Sequence, residues 1–306
     1  MFNRDPKLRG VGETVEYTET LVGEYIRCKQ DIVAFSRHIY IETLDDGKVL
    51  FEPFEYQKKI LKAFVDPPDI TKPHTIMLIP RQQGKTTITT AYILWYALFN
   101  SNKNVFIIAN KEKTSMEIMR RIQLAYRDLP MWLQQEVIEW NKSTLTLGNG
   151  TRINASTTSP DSISGQAVNL LYIDEFAKVP DYLAEEFITS TYPVISSGKS
   201  SKIIITSTPV GMNHFYEFWT KAIKGGNNFY PIKVGWWEHP KRDKAWKERM
   251  IRDIGAVRFA QEFGCLGQEI CINIKDKETG LVRSIPIGDL YNLLQETEDV
   301  QGADVL

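Results

Sequence analysis

Cysteine and histidine are scarce in this chain of 306 residues: three of the first (Cys28, Cys265, Cys271) and four of the second (His38, His74, His214, His239). Three cysteines build no disulfide framework, and their spacing matches no zinc pattern, so a reducing compartment is the simplest setting. The scattered histidines argue against a histidine metal site. Net charge is also small, −1, so no global basic field marks the chain for nucleic acid. The longest apolar stretch, Ile88–Phe99 (ITTAYILWYALF), is too short to span a bilayer and contains threonines; it reads as a buried helix. The first residues, MFNRDPKLRG, carry no signal-peptide core. Internal repeats and low-complexity tracts are missing.

What is present is the composition of an ordinary globular protein, long enough for one large domain or two. Charge is spread unevenly. Residues 265–306 hold three basic side chains against eight acidic ones, a net of −5, whereas the rest holds 34 basic against 30 acidic. That shift places a boundary near 265. Three regions follow: a mainly helical stretch over 1–50 with a turn at Asp45-Asp46-Gly47, a central domain over 51–264, and a tail over 265–306.

Within the central domain, FEPFEYQKKILKAF (51–64) is an aromatic lead-in to an amphipathic helix, and PPDITKP (67–73) is a loop. Short apolar runs at 76–79, 104–109 (NVFIIA), 170–173 (LLYI) and 202–207 (KIIITS) read as buried strands, and 112–127 as an amphipathic helix. TLTLGNGTRINAS (144–156) alternates in period two around Gly148-Asn149-Gly150, a hairpin pattern. Strands alternating with helices predict an α/β fold, a P-loop (ASCE/RecA-like) NTPase with a mostly parallel sheet covered by helices.

Ligands of such sheets bind at the carboxyl ends of the strands. Three polar clusters fall there. The first is PRQQGKTT (80–87), a strand–loop–helix phosphate loop in which Gln82, Gln83, Gly84, Lys85, Thr86 and Thr87 would surround phosphate. Lys85 would reach the β/γ-phosphates of ATP, and the Thr86 hydroxyl would ligate Mg²⁺. The first glycine of G-x-x-x-x-G-K-[ST] belongs at 79, where Ile79 stands, and Arg81 sits inside the loop, placed to meet a γ-phosphate in cis. The second is Asp174-Glu175, suited to holding Mg²⁺ (Asp174) and polarising a water as general base (Glu175). The third is Thr206-Ser207-Thr208. Singly, each has a structural reading: a chance G-K-T, a helix N-cap, a turn before proline. In order, each at a strand end, they point to a nucleotide hydrolase. Upstream, the Gln57 amide could pair with the adenine edge, or be an exposed glutamine beside buried aromatics. The stretch 236–258 mixes basic residues with Trp236, Trp237 and Trp246; it reads as a solvated helix with a packed tryptophan stripe ahead of a nucleic-acid surface.

FEPFEYQ (51–57), PRQQGKTT (80–87), SPDSISGQAVNLLYIDEFA (159–177) and TSTPVGMNHFYEFW (206–219) together resemble the large terminase subunit of T4-like tailed phages. A phosphate loop written R-Q-x-G-K-T without its first glycine is characteristic of that family, and the resemblance covers most of 20–264. It implies an ATP-driven motor moving double-stranded DNA into a capsid, in the host cytoplasm and transiently on the viral procapsid. Gln57 would read adenine, Arg81 would be the cis arginine, Lys85, Thr86 and Asp174 would hold phosphate and metal, and Glu175 would be the catalytic carboxylate. Thr206, Ser207 and Thr208 would couple hydrolysis to movement. The implied partners are the portal protein, a small terminase subunit and further copies of the chain in a ring, usually a pentamer.

The family runs on to a nuclease domain, which this sequence is expected to lack. From Cys265 it reads CLGQEICINIKDKETGLVRSIPIGDLYNLL instead, resembling the N-terminal block of an intein. Gly264–Cys265 would be the scissile bond, with the thiol attacking the preceding carbonyl. The other reading is a small buried cysteine in a divergent insertion. Residues 265–306 contain no histidine and no terminal asparagine, so the intein would be incomplete or split, its other half arriving with the nuclease on a complementary chain. Rival functions are a superfamily 2 helicase, which needs a second ATPase-like domain after 210, and a splicing precursor inactive until ligated.

Overall fold

A computed structural model describes residues 5–43, 45–157, 167–196, 198, 201–208, 210, 213–264, 271–275 and 282–286. The chain opens with extended backbone and turns, followed by helices α1 (Glu19–Gln30) and α2 (Ile32–Ser36). The Thr18 hydroxyl accepts from the Leu21 N–H and caps α1; the Asp31 carboxylate does the same for α2 at Val33. The expectation of a mainly helical 1–50 holds only for this part. Residues 40–50 form an antiparallel hairpin, β1 (Tyr40–Thr43) and β2 (Gly47–Leu50), around the turn read at Asp45-Asp46-Gly47. Tyr40, Ile41, Thr43 and Val49 favour strand, and left-handed Gly47 (φ 65°) lets the chain reverse.

Helix α3 (Glu55–Val65) buries Tyr56, Ile60, Leu61 and Phe64 along one face. Strand β3 (His74–Leu78), fully buried, leads through the phosphate loop into α4 (Lys85–Phe99), which is apolar nearly all round and lies inside the protein. There follow β4 (Asn104–Ala109), α5 (Glu112–Arg127), β5 (Val137–Trp140), β6 (Thr144–Leu147), β7 (Arg152–Thr157), β8 (Leu170–Asp174), α6 (Asp181–Glu186), α7 (Tyr192–Ser196), β9 (Lys202–Ser207), α8 (His214–Ile223), β10 (Phe229–Lys233), α9 (Lys244–Ile254) and α10 (Ala256–Phe263). Strands β5 and β10 are absent from the sequence expectations: each is short, and neither carries a clean period-two pattern.

The central sheet has eight strands in the order β10-β3-β9-β8-β4-β7-β6-β5. Pairings from β10 to β7 are parallel, and β7-β6 and β6-β5 are antiparallel. Both faces are covered, and side chains sort between them with period two. Met77, Val105, Ile107, Tyr172 and Ile204 face one core with α4 and α5. Ile76, Phe106, Ile108, Ile173 and Ile205 face the other, with Phe215, Phe218 and Trp219 of α8. Truncating a residue such as Ile107 to alanine would cost about 2–5 kcal/mol.

Register brings the chemistry together. Leu78 is paired with Ser207, and Thr206 with Asp174, so β3, β9 and β8 end at one level. Farther along, β11 (Cys271–Lys275) and β12 (Val282–Pro286) form a separate antiparallel pair. Among the described residues, no helix is long and apolar enough to cross a membrane.

Candidate active site

The phosphate loop turns on two left-handed residues, Gln82 (φ 58°) and Gly84 (φ 75°). Glycine is required at 84, because a Cβ there would lie 2.5 Å from Gln57 Nε2. Gln57 is buried and fully engaged: its Oε1 accepts from the Phe54 N–H at 2.9 Å, and its Nε2 donates to the Gln83 carbonyl at 3.2 Å. The Tyr56 hydroxyl donates to the same carbonyl at 2.8 Å. Gln57 is thus a cap of α3 and a prop under the loop. The exposed glutamine weighed as its alternative is not what forms, and both ends of the amide are committed within the protein.

The Gln83 side chain turns inward, its Nε2 lying 3.3 Å from both the Gly235 and the Trp236 carbonyls. Gln82 is exposed. Arg81 is half-exposed and forms an ion pair with Glu262, whose backbone carbonyl also accepts from the Arg81 N–H at 3.0 Å. It is therefore held by α10, away from the carboxylates. Thr87 sits with Thr90 against Tyr40, Ile41 and Arg121 and is not brought into the cluster around Lys85. Thr86 occupies the first turn of α4.

Lys85 is the centre of that cluster. Its ammonium lies 3.0 Å from Asp174 Oδ1 and donates to Glu175 Oε1. Burial works against its charge, but the two carboxylates outweigh that and raise its pKa. Asp174 is buried, and its Oδ1 also accepts from the Tyr172 hydroxyl at 2.9 Å and the Thr206 hydroxyl at 3.0 Å. Glu175 adopts a left-handed backbone (φ 54°), a strained conformation of the kind that gathers at functional sites. Its Oε2 is 2.9 Å from Lys178 Nζ and accepts from the Thr208 hydroxyl at 3.2 Å. Burial would raise its pKa; Lys85 and Lys178 win and bring it down to about 2.

Backbone after Glu175 is clamped. Ser207 Oγ accepts from the Ala177 N–H at 3.1 Å, Asn213 Nδ2 donates to the Ala177 carbonyl at 2.6 Å, and His214 Nε2 lies 2.7 Å from the Phe176 carbonyl. The third cluster of the sequence therefore touches the second through the Thr206 and Thr208 hydroxyls, and the Ser207 hydroxyl holds the backbone two residues further on. The fold brings together Gly84, Lys85, Asp174, Glu175, Thr206, Ser207 and Thr208. For a divalent cation the available donors are the Thr86 hydroxyl and the Asp174 carboxylate, both oxygen, which fits Mg²⁺, and the carboxylates already face a positive charge in Lys85.

Tyr56, Tyr172, Lys178, Asn213, His214, Arg242 and Glu262 were not singled out from sequence. Tyr56, Tyr172, Asn213 and His214 lie inside the family-like motifs and Arg242 inside the basic, tryptophan-bearing stretch 236–258; Lys178 and Glu262 carry no local signal. Trp236, Trp246, Phe259 and Phe263 pack ring against ring, as a tryptophan stripe would, though Trp237 is exposed. Gly264 ends α10, its N–H donating to Ala260 and Phe259. Cys265, residues 159–166 of the third family-like motif, and Pro209, Gly211 and Met212 of the fourth lie outside the described residues.

Residues 76–268 match the family described as terminase large subunit, T4likevirus-type, N-terminal. A large terminase subunit of Thermus phage G20c is 29% identical over 124 residues, an alignment that takes in 36% of this chain and 24% of that protein. The chain thus matches about a quarter of that relative's length. The large terminase ATPase domain of Thermus phage P74-26 superimposes with a TM-score of 0.57 at 19% identity, over 70% of this chain and 94% of that domain. The large terminase of another thermophilic bacteriophage, solved in complex with ADP, does so with a TM-score of 0.53 at 16% identity, over 73% of this chain and 55% of that one. At these identities the structural likeness is one of fold.

Proposed function

The chain belongs to the T4-like large terminase family, matched through that family's N-terminal region, and from this premise we propose that it is the ATPase part of a motor that drives double-stranded viral DNA into a capsid. The observation that carries the reading is the convergence of Lys85, Asp174 and Glu175 at the level ends of β3 and β8, with Thr206 of β9 bonded to Asp174 and Thr208, just beyond β9, bonded to Glu175.

Lys85 exchanges the two carboxylates for the β/γ-phosphates when ATP binds, as the loop N–H groups and the start of α4 receive the anion. Thr86 and Asp174 would hold Mg²⁺, which offsets phosphate charge. Glu175, released by Lys85 and still bonded to Lys178 and Thr208, orients water and takes its proton. Arg81, itself part of the loop, leaves Glu262 for the γ-phosphate. Thr206 and Thr208 carry the change at the carboxylates into β9 and, through Asn213 and His214, into α8. Gln57 contacts adenine in this reading only after giving up the Phe54 or Gln83 bond. The DNA, portal protein, small terminase subunit and pentameric ring belong to the same proposal.

The test is steady-state ATP hydrolysis by the full chain with and without double-stranded DNA, beside Glu175→Gln. Loss of a general base lowers kcat by about 10²–10⁴. Equal background rates in both proteins would defeat the reading and leave the inert precursor standing.

A second proposal covers the tail: Cys265 opens the N-terminal fragment of a split intein. The antiparallel β11–β12 pair, separate from the central sheet, supports it. The Cys265 thiolate would attack the Gly264 carbonyl carbon, forming a thioester as the Gly264–Cys265 amide breaks and the freed amine takes a proton. Mixed with a complementary intein–nuclease chain, the protein should yield a ligated product by mass spectrometry; no ligation sinks the idea.

A further inference from the structure

We infer that Arg242 positions the phosphate loop, an inference that rests on the nucleotide reading above. Three consecutive loop carbonyls are tied down by side chains from outside the loop. Arg242 Nη2 donates to the Arg81 carbonyl at 3.3 Å and the Gln82 carbonyl at 3.2 Å. The Gln83 carbonyl accepts from Tyr56 and Gln57. A trans peptide directs its N–H opposite its C=O. Anchoring carbonyls 81, 82 and 83 therefore turns the N–H groups of Gln82, Gln83 and Gly84 to the other side. Among the described residues, nothing accepts a hydrogen bond from any of these three. Successive N–H groups left free in this way make an anion-binding concavity.

The guanidinium is itself held rigidly. Arg242 is 9% exposed, its guanidinium carbon lying 4.5 Å from the Trp246 ring centre and 5.2 Å from that of Phe263. Its Nη1 is buried with no hydrogen-bond partner, so the two carbonyls and the two rings are what keep it in place. The need for such an anchor follows from the loop's composition. Ile79 stands where the usual loop has its first glycine, and a non-glycine residue, Gln82, takes a left-handed conformation. A flip of the 81–82 peptide would carry Gln82 out of the left-handed region and relieve that strain, and it would aim the Arg81 carbonyl oxygen at the phosphates. Arg242 blocks the flip. A lysine, a point charge on a flexible stem, has no planar group to lie against the two rings and fix its nitrogen between the two carbonyls.

The experiment compares wild type, Arg242→Lys and Arg242→Met in the full chain. Lysine keeps the charge, and methionine keeps the packing between the rings; both lose the planar guanidinium whose Nη2 is fixed between the two carbonyls. We expect KM for ATP to rise roughly tenfold in each, about the worth of one charged hydrogen bond, with kcat changed less than about threefold, since the anchor sets phosphate binding and touches no reacting atom. Melting temperatures taken alongside identify any variant that fails to fold, and the other then decides. A folded variant with wild-type KM, or one that loses kcat alone, overturns the role of Arg242 while leaving the ATPase reading intact. A wild-type chain that neither binds nor hydrolyses ATP overturns both.

Discussion

Replacing Gly84 by alanine perturbs the phosphate loop at the point where backbone and side chain are both committed. The residue sits at φ 75°, where an L side chain costs about 1–2 kcal/mol. The new Cβ would lie 2.5 Å from Gln57 Nε2. Gln57 has nowhere cheap to go: it is 4% exposed, and its amide is bonded at both ends. Displacing it forfeits one or two hydrogen bonds of about 1 kcal/mol each. The sum is a loss of about 2–4 kcal/mol, which for a domain of this size lowers the melting temperature by roughly 5–12 °C. Circular dichroism melts of the nucleotide-free chain measure it. Gln57→Ala removes the obstruction, so Gln57→Ala/Gly84→Ala should cost about 1 kcal/mol less than the two single changes added. Gly84→Ala melting with wild type, or strict additivity in the double variant, would refute the contact as the cause.

Lys85→Met should destabilise the nucleotide-free chain by about 3 kcal/mol at pH 7, because Asp174 and Glu175 are left buried without their cation. Glu175 is held at about 2, below its ordinary 4.5, so its contribution is full above about pH 4.5 and fades as pH falls toward 2; urea midpoints of the two proteins should converge on acidification, and a constant gap would contradict this. His74, buried with Nδ1 accepting from the Ile203 N–H, has its pKa lowered from 6.5 to about 4, burial being the larger cause and Lys202 the smaller. The unfolded chain takes up that proton first, so stability falls by up to about 3 kcal/mol as pH drops from 6.5 to 4, and His74→Leu should flatten this part of the urea-midpoint profile. Asn213→Asp keeps the acceptor that caps α8 but loses the donor to the Ala177 carbonyl; kcat should fall roughly tenfold with KM for ATP and melting temperature little changed, as expected of a misplaced Glu175. A parallel loss of stability would point to a purely structural bond.

Local chemistry made a large part of this legible. Buried runs such as NVFIIA and LLYI became strands because two covered faces demand continuous apolar residues. G-K-T beyond β3 and D-E at the close of β8 stand at strand ends because polar residues break those runs where the sheet stops being covered. The β1–β2 hairpin escaped because its two strands, four residues each, are short and mix charged with apolar side chains. Strand β10 escaped because Pro231 interrupts it, a residue tolerated only on a sheet edge, and β10 is an edge.

Sequence alone determined the class of chemistry and the family, because residue type and spacing fix which groups are offered at each strand end. Tertiary structure decided which of those groups are free to act. Gln57 and Gln83, read as ligand contacts, are bonded inward because buried amides must satisfy their hydrogen bonds. Arg81 rests on Glu262 and Glu175 on Lys178, pairings that only the folded chain creates. Arg242 falls in the basic, tryptophan-bearing stretch of the sequence, but nothing local shows that it holds a loop about 160 residues earlier; the docking of α10 on the phosphate loop, through the Arg81 N–H and the Glu262 carbonyl, and the rings of α9 and α10 bring it there.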